Sequence, residues 1–394
     1  MARYSRRNKG EFMNYRKLGN TGLTVSEIGL GCEGFAENDY NMTYTLLNEA
    51  EKVSINYFDV YASDPQMRTA IGKALVGRRE KFYIQSHICS IWKNGQYLRT
   101  RKLDEVKAGF EESLRLFQTD YIDVGMIHYC DAMSDWQKII DNGILDYAKE
   151  LKAQGKIRHI GLSSHNPIVA SEAVKTGDIE VLMFSINPVY DLQPPSENVE
   201  DLWADETYTN TYENMDPDRQ TLYELCQRMG VGITVMKAFA GGDLLNAELS
   251  PASVALTAEQ CIHYCLTRPA VSCVLAGAHS LEQLKDSLKY ETATDEEKDY
   301  ATAFASFPKI SWNGHCMYCS HCAPCPVEIS VADVTKFLNL ALAQNNIPET
   351  VREHYKALEH HAGECIKCGA CETRCPFCVE IRKNMDIAAE VFGY

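Results

Sequence analysis

Eight cysteines in the last quarter of the sequence form two short runs with a spacing that is typical of iron–sulfur ligands. In each run three cysteines are separated by two residues, and a fourth cysteine directly precedes a proline. The runs are Cys316, Cys319, Cys322, Cys325 and Cys365, Cys368, Cys371, Cys375. Thiolates at this spacing bind three corners of a [4Fe–4S] cubane, and in two-cluster proteins the fourth cysteine of a run reaches the other cluster. The runs therefore predict two [4Fe–4S] clusters.

This exchange of the fourth cysteine, called the crossing below, predicts which cysteines bind each cluster. One cluster takes the first three cysteines of the first run and Cys375, and the other takes the first three of the second run and Cys325. Structural zinc, which also uses Cys-x2-Cys pairs, is the alternative, but two runs of four that both end in Cys-Pro favour clusters. A ninth cysteine of this region, Cys378, is expected to be a packing thiol.

About 40 residues of helical sequence separate the two runs. A minimal two-cluster ferredoxin has no room for such a segment, so residues 301–394 are similar to the mostly α-helical type of ferredoxin domain. Three histidines in this segment are interpreted as a solvated helical face and not as metal ligands: His354, His360 and His361.

Upstream of this region, short apolar runs alternate with segments of helical periodicity. The apolar runs are 25–31, 55–60, 81–88, 121–128, 157–164, 181–188, 232–239 and 271–278. Segment 102–117, for example, places its apolar residues on one helical face. Eight such alternations over about 250 residues predict an α/β fold, a (β/α)8 TIM barrel, over residues 13–300. The active site of this fold lies on the loops that follow the strands.

A glycine pattern in the first strand suggests a different fold. Gly29, Gly31 and Gly34 spell G-x-G-x-x-G, and Asp59 closes the next strand, as in a dinucleotide-binding Rossmann unit. In that motif the third glycine already lies in the helix whose N-terminus faces the pyrophosphate. Here a polar loop follows, so the helix is expected to begin only near Thr43. We therefore favour the closed barrel.

A long segment, residues 191–218, follows the sixth apolar run and is rich in Pro, Asn and acidic residues. Connections of this length are often functional, although a solvated surface excursion has the same composition. The aromatic residues Trp203, Tyr208 and Tyr212 favour a lid that packs on the barrel mouth.

Composition excludes several classes of function. The 394 residues carry 39 basic and 54 acidic side chains, a net charge of −15, and an acidic surface repels the phosphates of nucleic acid. No stretch has the roughly 18–20 apolar residues that span a membrane, and no apolar segment follows the basic N-terminus as in a secretory signal. We expect a cytoplasmic protein that binds neither nucleic acid nor membranes.

Several segments resemble the aldo/keto reductase family. They are YRKLGNTGLTVSEIGLG (15–31), YFDV (57–60), SLRLFQTDYIDVGMIH (113–128), GKIRHIGLSSHNP (155–167) and MKAFAGGDLL (236–245). The resemblance extends from residue 15 to about 290, and the cysteine-rich region adds the pattern of a ferredoxin-fused branch of that family. It implies an oxidoreductase.

The resemblance also implies a tetrad of Asp, Tyr, Lys and His, in which the tyrosine protonates a carbonyl as hydride arrives from a nicotinamide. Asp59 and His128 match the aspartate and the histidine. The tyrosine position holds Asp64, and the lysine position holds His87. Tyr61 and the histidines are the candidates to replace the missing acid, because a carboxylate such as Asp59 raises the pKa of a nearby imidazole.

The positions with which the family grips the nicotinamide carboxamide have changed as well. Ser163 and Ser164 stand where the family has a Ser-Asn pair, and Asn187 stands where a Gln is usual. Lys237, at the end of the seventh strand, is expected to point towards the mouth and to meet a phosphate or the substrate.

The segment after the eighth strand is the candidate phosphate site. Residues 277–283 lack the Lys or Arg that clamps a 2′-phosphate, and His279 stands where an Arg is common. Backbone amides at a helix start can still hold a phosphate, so Gly277, His279 and Ser280 remain candidate contacts. We expect NADH in preference to NADPH, and a barrel without any nicotinamide also stays open.

Three functions fit these observations. In the first, an iron–sulfur oxidoreductase acts on a small carbonyl, hydroxyl or ring substrate and exchanges electrons with the clusters. Clusters carry single electrons and nicotinamide carries a hydride, so this function implies a flavin in the barrel or on a redox partner, a ferredoxin or flavoprotein. The second is an ordinary hydride-transferring aldo/keto reductase with structural clusters. The third is a non-catalytic barrel that serves as an electron-transfer or scaffold subunit.

Overall fold

Eight parallel strands close into a barrel, numbered β1 to β8 in chain order. They are Ile28–Gly31, Tyr57–Val60, Tyr83–His87, Ile122–Ile127, Ile157–Ser164, Val181–Ser185, Gly232–Met236 and Val271–Gly277. Each strand pairs with the next, and β8 pairs with β1. The computed structural model describes residues 13–204, 212–250, 254–305, 310–311, 314–343 and 347–394. Every apolar run contains one of the strands, so the predicted TIM barrel is confirmed.

Helices follow the strands on the outside of the barrel. In chain order they are Tyr40–Lys52, Pro65–Leu75, Leu103–Phe117, Met133–Asp141, Ile144–Ala153, Pro167–Lys175, Pro217–Met229, Ala258–Thr267 and Leu281–Leu288. Short 3-10 turns are Cys32–Glu37, Arg79–Lys81, Tyr190–Leu192, Val199–Leu202, Ala240–Leu245, Lys289–Glu291 and Ala362–Glu364. Local signals set the helix ends: Asp216 accepts hydrogen bonds from two backbone amides at the start of Pro217–Met229, and Gly230 ends that helix at φ 70°.

Two antiparallel hairpins lie outside the barrel sheet. Tyr15–Lys17 pairs with Thr24–Ser26, and its apolar residues join the core inside the barrel. Ser90–Lys93 pairs with Gln96–Arg99 in the connection that follows β3. Because it follows the C-terminal end of a barrel strand, the second hairpin stands at the mouth where active sites of this fold lie.

The first βα connection differs from the expectation in detail. A 3-10 turn, Cys32–Glu37, follows β1, and the helix begins at Tyr40 with Asp39 as its cap, three residues before the expected start at Thr43. The glycine pattern has a packing reason. A Cβ on Gly34 would lie 2.7 Å from the His279 ring, and one on Gly29 would lie 2.7 Å from a cysteine sulfur of β8.

The C-terminal region is mostly helical. Its helices are Ala301–Ala305, Val331–Leu342, Glu349–Lys356, Ala370–Arg374 and Ile381–Phe392, and a two-residue strand, Ile310–Ser311, pairs with Tyr212–Glu213 of the long insertion. Tyr355 stacks on Phe392 with ring centroids 3.9 Å apart. The buried apolar residues of this region and of the barrel helices form one continuous cluster.

Hydrogen bonds join the two regions at the N-terminal end of β8. The Nη2 of Arg268 donates to the carbonyl of Met317 at 2.5 Å, and the Tyr300 hydroxyl donates to the same carbonyl at 2.6 Å. Lys336 donates to the carbonyl of Thr267 at 3.4 Å. Since Thr267 and Arg268 lie between a helix and the start of β8, the first cysteine run packs away from the barrel mouth. In the described part of the chain, no helix has the length and apolar character needed to cross a membrane.

Candidate functional site

Three chemically active side chains meet at the C-terminal ends of neighbouring strands. Asp59 lies on β2, His87 is the last residue of β3, and His128 follows β4 directly. The Asp59 Oδ1 lies 2.9 Å from the His87 Nε2, and the His87 Nδ1 lies 2.6 Å from the His128 Nδ1. The three strands are adjacent in the sheet, which is why residues far apart in sequence come within hydrogen-bonding distance.

A buried glutamine, which the sequence did not single out, orients the aspartate. Gln85 donates from Nε2 to Asp59 Oδ1 at 2.7 Å. Its carbonyl oxygen accepts from the Tyr57 hydroxyl at 2.9 Å and from the Thr234 hydroxyl at 3.1 Å, so its amide can face only one way. The available signal was a glutamine in the third barrel strand, two residues before the candidate His87.

A tyrosine that the sequence did not single out completes the group. Tyr97 lies on the hairpin after β3, and its hydroxyl is 2.5 Å from the His128 Nε2. Nothing in the local sequence marks Tyr97, because only the fold of the hairpin over the mouth brings it to His128.

Among the four hydrogen-bonded residues, the tyrosine is the one with substantial exposure to water. Asp59, His87 and His128 are 2%, 4% and 6% exposed, whereas Tyr97 is 38% exposed. Burial lowers the pKa of His128 well below its usual value, and the charges of His87, Arg101, Arg99 and His165 lower it further. The expectation of a protonated histidine therefore does not hold for His128, which is neutral at physiological pH.

The other candidate acid, Tyr61, directs its hydroxyl elsewhere. It donates to Glu33 Oε1 at 2.6 Å, and its ring lies parallel to that of His128 with centroids 5.7 Å apart. Burial and the contact with Glu33 raise the pKa of this phenol above its usual value. Asp64, at the family's tyrosine position, caps helix Pro65–Leu75 by accepting from the Met67 amide at 2.8 Å.

The side chains expected to bind the nicotinamide carboxamide mostly form hydrogen bonds within the protein. Ser164 donates to Asp131 at 3.0 Å. Asn187 donates to the Lys237 carbonyl at 2.9 Å, and its oxygen accepts from two backbone amides. Ser163 accepts from the Tyr129 amide at 2.8 Å and keeps its own hydroxyl hydrogen. A nicotinamide held by all three side chains does not fit this arrangement.

The positions expected to meet a phosphate lie on open parts of the mouth. Gly277 is exposed and has no atom close to where a Cβ would stand. Ser280 caps helix Leu281–Leu288, and the His279 ring packs over Gly34 while its Nδ1 lies 3.6 Å from a Glu37 carboxylate. Backbone amides and small residues at this helix start can hold a phosphate. The acidic neighbour of His279 does not suit a 2′-phosphate, which carries negative charge itself.

Lys237 also lies at the mouth, under part of the long insertion. Its Nζ is 5.4 Å from the centroid of the Trp203 ring, a cation–π contact. Trp203 itself is 38% exposed. Tyr208 lies outside the described residues, and the backbone at Tyr212 pairs with Ile310, so the insertion reaches both the mouth and the C-terminal region.

Cys375 lies close enough to the first cysteine run for its charge to act on Cys316. Burial, together with smaller contributions from charge on Cys319, Cys322 and Cys375, raises the pKa of the Cys316 thiol to about 12. Next to Cys375, the guanidinium of Arg374 donates to the carbonyls of Cys322 and Pro324 at 2.6 and 2.7 Å. The end of the second run is thus fastened to the first run.

The other four cysteines line one cavity: Cys325, Cys365, Cys368 and Cys371. Most of its other lining residues are aliphatic. Again three cysteines come from one run and one from the other. In the described part of the chain no three His, Cys, Asp or Glu side chains are placed to hold a single metal ion. A cubane binds each thiolate at a different iron and therefore needs wider spacing.

The remaining candidates of this region have other roles. Cys378 is exposed, which does not fit the expected packing thiol. His354 lies on helix Glu349–Lys356, but His360 and His361 lie beyond its end. They are half-buried and lie near Glu364, so the expected solvated helical face is wrong for these two.

The sequence model of the aldo/keto reductase family matches residues 27–256. The uncharacterized oxidoreductase YqkF of Bacillus subtilis is 28% identical over 302 residues, covering 72% of this chain and 94% of that protein. The protein tas of Escherichia coli is 26% identical over 337 residues, covering 72% and 95%.

Among solved structures, an aldo-keto reductase from Bacillus halodurans in its holo form matches with a TM-score of 0.57 at 27% identity. The match covers 73% of this chain and 94% of that one. The family match spans more than half of the chain and ends before the cysteine-rich region. The closed parallel barrel and the polar group at its mouth agree with it. This chain belongs to the aldo/keto reductase family and is an oxidoreductase.

Proposed function

We propose that this oxidoreductase is an iron–sulfur enzyme of a ferredoxin-fused branch of the family. It acts on a small carbonyl or hydroxyl substrate at the barrel mouth and exchanges electrons through two [4Fe–4S] clusters held by residues 301–394. The observation that carries the proposal is the sharing of cysteines between the runs. Cys375 groups with the first run, and Cys325 lines the cavity of the second. That crossing is typical of two cubanes.

The crossing also argues for clusters against zinc. A structural zinc ion binds four ligands in tetrahedral geometry, all at a short distance from the metal. The cysteines of the second group instead surround a cavity. The groups hold four cysteines each, which is the full ligand set of a [4Fe–4S] cluster.

Electron transfer between the proposed clusters and a substrate at the barrel mouth needs an electron carrier. The first cysteine run contacts Arg268 at the N-terminal end of β8, whereas Asp59 and His87 lie at the C-terminal ends of their strands. A cluster transfers single electrons, and oxidation of an alcohol removes two. A flavin, in the barrel or on a partner protein, can accept a pair and release single electrons.

The ordinary hydride-transferring reductase is the less favoured alternative. Ser164 and Asn187 are engaged by the protein, and the tyrosine and lysine of the family tetrad are absent. If a nicotinamide does bind, the acidic Glu37 beside His279 favours NADH over NADPH. A chain with sixteen cysteines and exposed thiols among them fits the reducing cytoplasm.

The test is an anaerobic preparation of the full chain. We expect about eight irons per chain, little zinc, and flavin or NAD(H) in the acid-released supernatant. Clusters reduced with dithionite and freed of excess reductant are then mixed with benzaldehyde, methylglyoxal or glycolaldehyde, and reoxidation is followed by absorbance. Zinc in place of iron would refute the clusters. Clusters that stay reduced while NADH is consumed would favour the hydride-only alternative.

A further inference from the structure

The polar side chains at the barrel mouth form one continuous chain of hydrogen bonds. It runs from Asp59 to the His87 Nε2 at 2.9 Å, between the Nδ1 atoms of His87 and His128 at 2.6 Å, and from the His128 Nε2 to the Tyr97 hydroxyl at 2.5 Å. Both nitrogens of each imidazole are used. The chain therefore has two defined ends, a buried carboxylate and a phenol.

The chemistry of the groups sets the direction of the donors. With Asp59 as a carboxylate, His87 must donate from Nε2 and accept at Nδ1, since a neutral imidazole carries one hydrogen. His128 then donates from Nδ1 and accepts at Nε2. The Tyr97 hydroxyl supplies the hydrogen for that last bond. Every donor in the chain meets one acceptor, and no group needs an extra charge.

Of the four side chains in this hydrogen-bonded chain, Tyr97 is the one that reaches solvent at the mouth. Asp59, His87 and His128 are almost fully buried, and Tyr97 is 38% exposed. A proton that enters or leaves the three buried groups along these hydrogen bonds must therefore pass through the Tyr97 oxygen. The hydroxyl also covers the His128 Nε2, so a substrate oxygen meets the phenol before it can meet the imidazole.

We propose that Tyr97 is the catalytic residue that exchanges a proton with the substrate oxygen, and that His128, His87 and Asp59 relay this proton. The role rests on the proposed function, because it needs a carbonyl or alcohol at the mouth. Tyr97 takes the place of the family's tyrosine from a different part of the chain, the hairpin after β3. Gln85 is a positioning residue that fixes the Asp59 carboxylate.

In the direction of oxidation, the alcohol O–H proton moves to Tyr97 while the Tyr97 proton moves to the His128 Nε2. The Nδ1 proton of His128 moves to His87, and the Nε2 proton of His87 moves to Asp59. The substrate C–H bond breaks and its electron pair leaves as a hydride to an acceptor of the flavin or nicotinamide class, so that the carbonyl forms. Asp59 ends as a carboxylic acid and the other three groups end neutral. Reduction is the reverse.

Tyr97→Phe tests this proposal because it removes only the hydroxyl. The anaerobic holoenzyme is assayed with benzaldehyde as the probe carbonyl and NADH or reduced methyl viologen as the electron source. We expect kcat to fall about a hundredfold or more, the size of a general-acid contribution, with KM nearly unchanged. The matched control is Trp92→Phe, since Trp92 lies opposite Tyr97 in the same hairpin and is exposed. A wild-type kcat in Tyr97→Phe would overturn the proposal, as would a loss of the same size in Trp92→Phe.

A second measurement separates failure of the relay from failure of the proposed function. Nitrogen-15 spectra of histidine-labelled, oxidised holoenzyme report which ring nitrogen of His128 carries the hydrogen. We expect the Nδ1–H form in the wild-type protein, and a shift of the Nε2 resonance in Tyr97→Phe but not in Trp92→Phe. If no probe is turned over, this shift still supports the relay while the proposed function fails. A resonance that is identical in all three proteins refutes the relay whatever the turnover.

Discussion

At the barrel mouth the reactive side chains come from three strand ends and a hairpin, whereas in the C-terminal region the eight cysteines lie within two short stretches of sequence. At the mouth, Asp59, His87 and His128 are almost fully buried and are held by other side chains. The cysteines are mostly half-buried, and Cys368 is exposed. A metal cluster imposes its own geometry on ligands with suitable spacing. A proton relay has no such template, so the fold itself must hold each atom in place.

The two regions also differ in how burial shifts the pKa values of their reactive groups. At the mouth, burial lowers the pKa of His128 well below its usual value and keeps this imidazole neutral at physiological pH. In the C-terminal region burial raises the pKa of the Cys316 thiol to about 12. Metal ligation requires the thiolate, so a metal at the proposed cluster site would displace that proton.

A buried network connects the regions. Asp191, in the loop after β6, accepts from the Tyr264 hydroxyl at 2.7 Å. The Tyr264 ring lies 5.3 Å from the Tyr300 ring and 4.3 Å from the Arg268 guanidinium. Arg268 and Tyr300 both donate to the Met317 carbonyl beside Cys316. Loops at the mouth and the loop of the first cysteine run are thus tied through one set of side chains.

The largest expected effect comes from Cys375→Ser. Because Cys375 groups with the first run, its loss should destroy the cluster built on that run, and the iron content should fall from about eight to about four per chain. Iron analysis and electron paramagnetic resonance of the reduced protein measure this. Cys378→Ser is the matched control and should keep the full iron content. Retention of eight irons in Cys375→Ser would break the crossed assignment.

The mouth should make stability depend on pH in a way that the cysteines do not. Since the folded protein holds the pKa of His128 well below its usual value, the unfolded chain binds a proton below about pH 6.5 that the folded chain does not. The free energy of unfolding should therefore fall as pH decreases below about 6.5, by about 1.4 kcal/mol per pH unit for this residue.

Anaerobic urea denaturation of wild type and His128→Gln, compared at about pH 6.5 and pH 5, measures this contribution. We expect the wild type to lose about 2 kcal/mol more than the variant over that interval. His279→Gln, at an exposed histidine, should behave as the wild type does. Equal slopes for wild type and His128→Gln would mean that His128 is protonated in the folded protein.

The smallest effect is expected for Asp64→Tyr, which restores the family's tyrosine. Asp64 caps helix Pro65–Leu75, so the change should cost about 1 kcal/mol of folding stability. It should not create an ordinary carbonyl reductase, since His87 occupies the position of the lysine that would lower the pKa of that tyrosine. Asp64→Asn, which retains a capping side chain, is the control. NADH-dependent reduction of benzaldehyde above the wild-type rate would contradict this expectation.

Periodicity in the sequence was sufficient for the eight strands and the helices between them. Both depend on local properties: side-chain alternation, helical periodicity and helix caps. Asp59, His87 and His128 could also be placed together, because they end adjacent strands of a fold that was already identified.

The tertiary structure alone decided which groups at the mouth are free to react. Ser164 and Asn187 sit at the matching positions, but their partners come from other loops and occupy them. Tyr61 is close in sequence to Asp59, yet its hydroxyl donates a hydrogen bond to Glu33. Tyr97 is 38 positions beyond Asp59, and the hairpin brings it to His128. Sequence spacing constrains a hydrogen bond only within one element. Between elements, the angstrom-scale distances that proton transfer requires are set by how the loops pack over the barrel.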